Sequence, residues 1–241
     1  MLKTILVLSF FWLSAAVLSP IAILYMLFDL IGLESLVRPV LGLMARSWAR
    51  FMLWAIGVKA HVSGLENVPK EERICFVSNH QGDLDIVMML AFMPRPVGFI
   101  SKSEAAWFPF VNLWIAALGS SFIKRNSPRQ GKKAIDRGVR SIERGHALVI
   151  YPEGTRSRGP AMLPFRKGAF KLATRSNAFI VPVTIDGTWK VWEAHKKIEA
   201  ADVNIVVHPA FPTAELGIEE KKALPDMVEA VIRSGLAASG A

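Results

Sequence analysis

Residues 74–92 constrain the fold more than any other part of the sequence. Residues 74–77 form an apolar, β-prone run, residues 79–83 (NHQGD) are turn-forming and helix-capping types, and residues 86–92 are again apolar. Apolar runs separated by turn residues in this way are typical of a buried strand, a tight turn and a helix. The sequence therefore predicts a strand–turn–helix unit that carries a histidine in its turn.

The spacing of His80 and Asp85 restricts the shape of this turn. In an unbroken helix five residues rotate by roughly 500°, so the two side chains would point about 140° apart. They can meet only if His80 lies in the turn and Asp85 in the first turn of the helix. Gly82 would allow the bend, and Asp83 would cap the helix.

A paired histidine and aspartate have a chemical use. Asp85 would accept a hydrogen bond from one ring nitrogen of His80, which leaves the other nitrogen free to remove a proton from a substrate hydroxyl. This spacing alone leaves a second interpretation open, in which a capping aspartate stands beside an ordinary surface histidine.

Strand-like runs alternate with helical patterns along most of the chain, which predicts an α/β fold with a largely parallel central sheet flanked by helices. We expect strands at residues 59–62, 74–78, 97–101, 147–151, 180–185 and 203–207. A helix should open at Ser127 and Pro128 and close at Gly145. The single cysteine, Cys75, excludes a disulfide framework and is expected to pack in the core.

The N-terminal part differs from the rest. Residues 4–28 contain no charged side chain and are apolar enough for a membrane helix, which Pro20 would kink or turn into a re-entrant hairpin. Residues 36–58 form a second apolar segment, with arginines on another face, which suits a membrane interface. We therefore expect membrane-associated helices in residues 1–58 and an α/β domain in residues 59–241. A cleaved signal peptide and an ordinary core helix are the respective alternatives.

The positive charge is concentrated in one region. The chain has a net charge of +9, and residues 124–175 contain 14 Lys and Arg against 3 Asp and Glu. A nucleic acid, an anionic membrane and a phosphate-bearing substrate would each suit such a region. The sequence has no nucleic-acid reader motif, so an anionic membrane surface is the expected partner and nucleic acid is not.

Two stretches within or beside this region suit phosphate binding. In residues 151–157 (YPEGTRS), Gly154 would let backbone N–H groups approach an anion, and Thr155 and Arg156 would add donors. Residues 119–125 (GSSFIKR) are an apolar run that ends in two cations. An ordinary turn and a strand end are the alternatives.

Four motifs occur in a fixed order over residues 59–187. They are N-H-x4-D (Asn79, His80, Asp85), a glycine followed by an apolar pair and a cation (Gly119, Phe122, Ile123, Arg125), E-G-T-R (Glu153, Gly154, Thr155, Arg156) and an apolar-proline strand (Val181, Pro182, Val183). Together they resemble the glycerolipid acyltransferases, specifically the bacterial 1-acylglycerol-3-phosphate acyltransferases. The chain departs from that pattern at Gly82, where serine is frequent, and at Phe179, where proline is common.

This resemblance implies transfer of a fatty acyl group from acyl-CoA or acyl carrier protein to the hydroxyl of lysophosphatidic acid, giving phosphatidic acid. His80 would take the hydroxyl proton, and Asp85 would orient the imidazole and stabilise its charged form. Arg156, with Gly154 and Thr155, would hold the acceptor phosphate.

Further roles follow from the same resemblance. Arg125 would assist at the phosphate, Lys102 is another phosphate candidate, and Glu153 would position Arg156 or a second hydroxyl. Backbone N–H groups near Gln81 and Gly82 are expected to stabilise the oxyanion. No metal and no cofactor beyond the thioester co-substrate are expected.

We also expect a membrane location, with the active site on the cytoplasmic face of a bacterial inner membrane. Three alternatives stay open. The acceptor could be glycerol 3-phosphate, another lysophospholipid or a lyso-aminolipid. The chain could be a membrane-bound serine hydrolase that uses Ser78 or Ser101, or a lipid-binding protein without catalysis.

Overall fold

The computed structural model describes residues 1–70, 73–123 and 128–239. Within them lie seven strands: β1 (Lys59–Ser63), β2 (Ile74–Ser78), β3 (Val97–Lys102), β4 (Ser121–Ile123), β5 (Ala147–Ile150), β6 (Phe179–Asp186) and β7 (Asp202–Val207). They form one sheet in the order β1-β7-β6-β2-β5-β3-β4. All neighbouring pairs are parallel except β6 with β7. The expected α/β fold with a largely parallel sheet is confirmed, and the six predicted strands agree with the structure to within one residue at either end.

Helices cover both faces of the sheet. They are α1 (Leu2–Val17), α2 (Ser19–Leu30), α3 (Glu34–Ile56), α4 (Leu84–Phe92), α5 (Val111–Ala117), α6 (Pro128–Glu143), α7 (Lys171–Ser176) and α8 (Ile218–Ser239). In β2, Ile74 and Phe76 pack with α3 and α4, whereas Cys75 and Val77 pack with α6, α7 and α8. Both faces of this strand are therefore buried, which explains its unbroken apolar sequence. Ser127, the predicted cap of α6, lies outside the described residues.

The N-terminal apolar segment is broken into two helices next to Pro20, as the sequence predicted. Helices α1 and α2 are bent by 41° relative to each other, and Pro20 lies in the first turn of α2. In the described ranges no single helix has both the length and the apolar character needed to cross a bilayer, although α1 and α2 taken together meet these criteria.

Helix α3 faces the protein with small and large apolar residues, and two of its arginines bind the end of α4. Arg46 Nη2 donates to the carbonyl of Met93 at 2.7 Å and Arg50 Nε to that of Ala91 at 3.1 Å, so two arginines that suggested a lipid interface instead stabilise the end of α4. The predicted apolar face is divided: Leu36, Val40, Leu43 and Phe51 are exposed, whereas Met52 lies in the sheet core with Ala49. The domain boundary at residue 58 stays a prediction.

Candidate active site

His80 lies just beyond the carboxyl end of β2, the central strand of the sheet. Its Nδ1 is 2.7 Å from Oδ2 of Asp85, which sits in the first turn of α4. The side chain of His80 is 12% exposed, and that of Asp85 is fully buried. The structure therefore places the two side chains as their spacing predicted, at the edge where parallel α/β sheets bind ligands. Their catalytic role stays a prediction.

Asp85 is held from three sides. Its Oδ2 also accepts the N–H of Gly82 at 2.9 Å, and its Oδ1 accepts the hydroxyl of Thr188. Because an ionised carboxylate only accepts hydrogen bonds, this network assigns the ring proton of His80 to Nδ1. The other nitrogen, Nε2, is then the available base.

Asparagine and glutamine side chains tie the His80 loop to the end of β6. The amide of Asn79 both donates to the carbonyl and accepts from the N–H of Ile185, each at 2.8 Å, in the manner of a further sheet residue. Gln81 accepts the N–H of Gly187 at 2.8 Å and donates to Asp186 at 3.1 Å. These bonds fix the backbone on either side of His80.

Glu153 ties the same loop to the segment after β5. Its buried carboxylate accepts the N–H of His80 at 2.7 Å and that of Leu163 at 2.9 Å, while the N–H of Ser157 donates to the carbonyl of His80 at 2.8 Å. Burial raises the pKa of Glu153, and the two backbone donors oppose that effect. Glu153 was expected to position Arg156 or a second hydroxyl, whereas in the structure its two oxygens accept backbone N–H groups, one of them that of His80.

Tyr151 packs flat against the imidazole of His80. The ring centroids are 4.0 Å apart and the planes differ by 15°. Within the described part of the chain the hydroxyl of Tyr151 has no hydrogen-bond partner, and burial raises the pKa of this group well above its usual value. Tyr151 thus fixes the orientation of the ring and covers one of its faces.

Arg156 lies beside this loop, among carboxylates. Its Nη1 donates to Asp83 and, at 3.4 Å, to Oε1 of Glu193. Oε1 of Glu193 also accepts the N–H of Asp83 at 2.9 Å, and burial raises the pKa of Glu193. The basic group expected to bind phosphate is therefore close to His80 and is paired with two acidic side chains.

Two backbone N–H groups of the predicted anion sites are already bonded, while the remaining donor roles predicted near Gln81 and Gly154 stay predictions. Gly154 has the positive φ of 73° expected of a sharp turn, but its N–H donates to Tyr151 at 3.0 Å and is not free for an anion. The N–H of Gly82 is likewise taken by Asp85 and is not available to an oxyanion. Asp83 stands at the cap position of α4 without making a capping hydrogen bond. Thr155 is exposed.

Lys102 ends β3, on the same edge of the sheet as His80, because β2, β5 and β3 run parallel. Its side chain is 53% exposed, and its Nζ pairs with Glu104 at 2.7 Å. Arg125 lies outside the described residues. Among residues 1–70, 73–123 and 128–239, no three His, Cys, Asp or Glu side chains are grouped as metal ligands, and the metal-free reaction stays a prediction.

Three residues of the site were missed in the sequence. Thr188 carried a usable signal, because it follows the polar end of a strand that a βαβ pattern places beside β2. Tyr151 directly follows β5 and offered a similar signal. Glu193 had none, since it lies 110 residues from its partner Asp83 in a segment without a pattern.

Comparisons with known proteins agree with this geometry. The model of the acyltransferase family matches residues 59–186. The sequence is 29% identical over 187 residues to the 1-acyl-sn-glycerol-3-phosphate acyltransferase of Borreliella burgdorferi, covering 77% of this chain and 75% of that protein. It is 32% identical over 167 residues to a chloroplastic protein of the same name from Brassica napus, covering 68% and 48%. The chain thus spans about half the length of the plant relative.

A solved structure shares the fold. The crystal structure of the 1-acyl-sn-glycerophosphate (LPA) acyltransferase from Thermotoga maritima matches with a TM-score of 0.81. The match covers 100% of this chain and 97% of the other, at 24% sequence identity. At that identity the likeness concerns the fold alone.

Proposed function

The chain belongs to the acyltransferase family, and we propose that it transfers a fatty acyl group from a thioester to the free hydroxyl of 1-acylglycerol 3-phosphate, giving phosphatidic acid. The observation that carries the proposal is the His80–Asp85 pair, with its remaining ring nitrogen available, beside the cation of Arg156. A base and a phosphate-binding group at one sheet edge are what a phosphorylated alcohol needs to act as acceptor. The names of the relatives support the same acceptor.

The proposed reaction needs no acyl-enzyme. Nε2 of His80 removes the proton of the acceptor hydroxyl as its oxygen attacks the thioester carbonyl carbon. The buried carboxylate of Asp85 stabilises the imidazolium that forms. When the tetrahedral intermediate collapses, the carbon–sulfur bond breaks and the imidazolium returns its proton to the leaving thiolate. Acyl-CoA and acyl carrier protein both supply such a thioester.

Arg156 is the proposed partner of the acceptor phosphate. Its guanidinium offers paired donors that match phosphate oxygens, and its side chain is 29% exposed, so a ligand can reach it. Lys102 and Arg125 are proposed as further cations around the same phosphate.

We further propose that α1, α2 and the segment after β3 attach the enzyme to an anionic membrane. Large apolar side chains are exposed along both helices, including Leu6, Leu13 and Leu27, and Trp107 is 86% exposed. The ring of Trp12 lies 6.2 Å from that of Phe108, which joins these surfaces. An exposed apolar area of this kind marks a contact with lipid or protein. The active site would then face the cytoplasm at a bacterial inner membrane.

The proposal is tested by acyl transfer in detergent micelles, with 1-acylglycerol 3-phosphate as acceptor and acyl-CoA or acyl carrier protein as donor. His80→Ala should abolish the product while the fold stays intact. His61→Ala is the matched control, because His61 is 64% exposed on β1 and should leave turnover unchanged. Arg156→Ala should mainly raise the acceptor KM.

Three results would overturn this proposal or a part of it. Near-normal turnover by His80→Ala would refute the assignment of the base. If product formed from glycerol 3-phosphate or another lysolipid but not from 1-acylglycerol 3-phosphate, the assignment of the acceptor would be wrong. Wild-type protein that is inactive across this acceptor panel but binds lipid would favour a non-catalytic role.

A further inference from the structure

The Nη1 group of Arg156 is already occupied in this structure. Its guanidinium is bound by the carboxylates of Asp83 and Glu193, and the cluster of three side chains carries a formal net negative charge. A phosphate is itself negative, so both carboxylates oppose its approach to this guanidinium. Both carboxylates lie on Nη1, so a phosphate that takes this donor has to replace one of them.

Glu193 is the carboxylate that is held in place beside Arg156. Its side chain is 1% exposed, and it also accepts the N–H of Asp83. Its other oxygen lies against Gly82, where a Cβ atom would come within 2.5 Å of it. Since Gly82 has no positive φ, the missing side chain at this position serves to make room for Glu193.

Asp83 is the carboxylate that a ligand can displace from Arg156. Its side chain is 65% exposed, and although it occupies the cap position of α4 it makes no capping bond there. An exposed ion pair of this kind changes an equilibrium by at most about fivefold.

We propose that Asp83 is an internal competitor for the acceptor phosphate at Arg156, and that Glu193 is a positioning residue that keeps Arg156 in place when Asp83 moves away. The inference rests on the proposed function, because it takes Arg156 as the partner of a phosphomonoester. On binding, phosphate oxygens take over the donors of Arg156 that Asp83 occupies in the free protein. Asp83 therefore weakens the binding of every ligand that must displace it and leaves the thioester site unaffected.

Asp83→Asn tests the competitor directly, with Asp226→Asn as the matched control. Asp226 is a 67% exposed aspartate that pairs with Lys167 away from the site. Inorganic phosphate and glycerol 3-phosphate are titrated into each full-length variant in detergent by calorimetry, and acceptor KM is measured separately. The dissociation constants and the acceptor KM should all fall by the same factor, about two- to fivefold, with kcat and thioester KM unchanged. Values equal to those of Asp226→Asn would overturn the proposal.

The effect of Asp83 must also depend on Arg156. In an Arg156→Ala background, Asp83→Asn should change neither phosphate affinity nor acceptor KM, because there is no guanidinium left to compete for. If Asp83→Asn raised phosphate affinity as much in that background as in the wild type, Asp83 would act by repelling the phosphate at a distance and not by occupying Arg156. The proposal would then be wrong.

Loss of the Glu193 side chain should change the acceptor KM in the opposite direction to Asp83→Asn. Glu193→Ala should raise the acceptor KM with little change in kcat, whereas Glu193→Gln, which keeps an oxygen for Arg156 and Asp83, should restore a KM close to that of the wild type. If Glu193→Ala does not fold, Glu193→Gln still separates the two roles of Glu193. A positioning residue predicts a KM close to that of the wild type, and a competitor predicts a lowered KM. A KM lowered as much as in Asp83→Asn would make the two carboxylates equivalent competitors and refute the positioning role.

The phosphate titration separates this inference from the proposed function. If the wild type acylates no lysophosphatidic acid but Asp83→Asn binds phosphate more tightly, the function fails and the competitor stands. If turnover is normal and phosphate affinity is unaffected by Asp83→Asn, the function stands and the competitor fails.

Discussion

Replacing Asp85 by asparagine is the sharpest test of the His80 site. Asparagine has the shape of aspartate, and its carbonyl oxygen can still accept from His80 and Gly82 at the position of Oδ2. Its NH2 group would then face the hydroxyl of Thr188, which can rotate to accept. The variant should therefore fold, bind the acceptor with an unchanged KM and differ only in charge.

The magnitude follows from burial. Asp85 is fully buried, so in Asp85→Asn the imidazolium that forms during the reaction has no counter-ion within hydrogen-bond reach. Leaving a buried charge without its partner costs about 3–5 kcal/mol, which corresponds to a loss of roughly 10²–10⁴ in kcat. General-base catalysis contributes a factor of the same size.

The assay is steady-state acyl transfer from acyl-CoA to 1-acylglycerol 3-phosphate, with thermal unfolding followed by circular dichroism. Asp202→Asn is the control, because Asp202 is an aspartate with a 68% exposed side chain. A kcat within about threefold of the wild type, in a normally folded Asp85→Asn protein, would refute the reasoning. It would mean that no imidazolium forms beside Asp85.

Three further predictions concern stability. Glu153→Gln should lower the free energy of unfolding by about 1–3 kcal/mol in urea denaturation, because one of the two buried N–H groups it serves loses its acceptor. Burial lowers the pKa of His146 to about 4, so the unfolded chain binds more protons between pH 6.5 and 4. Stability should therefore fall by up to about 3 kcal/mol as the pH drops through that range, and His146→Gln should remove this part of the slope. Gly98→Ala would place a Cβ atom 2.3 Å from the carbonyl oxygen of Leu118 and should cost about 1–3 kcal/mol. Gly131→Ala has open space in α6 and should stabilise the protein by about 0.5–1 kcal/mol; equal effects of the two substitutions would contradict this steric argument.

The sequence predicted best what is decided locally. The strand, the turn and the His80–Asp85 pair follow from the residue types in one short stretch, and buried strands identify themselves by their apolar runs. Strand β4, with three residues, is too short for such a signal, and the sequence offered it only as the alternative interpretation of residues 119–125.

What depends on partners distant in sequence was predicted less well. The resemblance implied that Glu153 positions Arg156 or a second hydroxyl, but the two side chains have different partners in the structure. Arg46 and Arg50 lie on a predictable face of α3, yet nothing in the sequence shows that the end of α4 covers that face. The amphipathic pattern predicts which residues share a face of a helix, but not which part of the protein packs against that face.

The long-range bonds around His80 also set when this site can form during synthesis. His80 and Asp85 are five residues apart, but Asn79, Gln81 and Asp85 bind partners 103 to 106 residues further along the chain. At translation rates of about 5–20 residues per second, roughly 5–20 s separate the synthesis of the pair from that of Thr188. The apolar helices α1 and α2 leave the ribosome before this pair does, so the proposed lipid contact can form well before the chain can hold His80 in a reactive geometry. Chains that stop before β6 should be inert even though they already contain both residues of the pair.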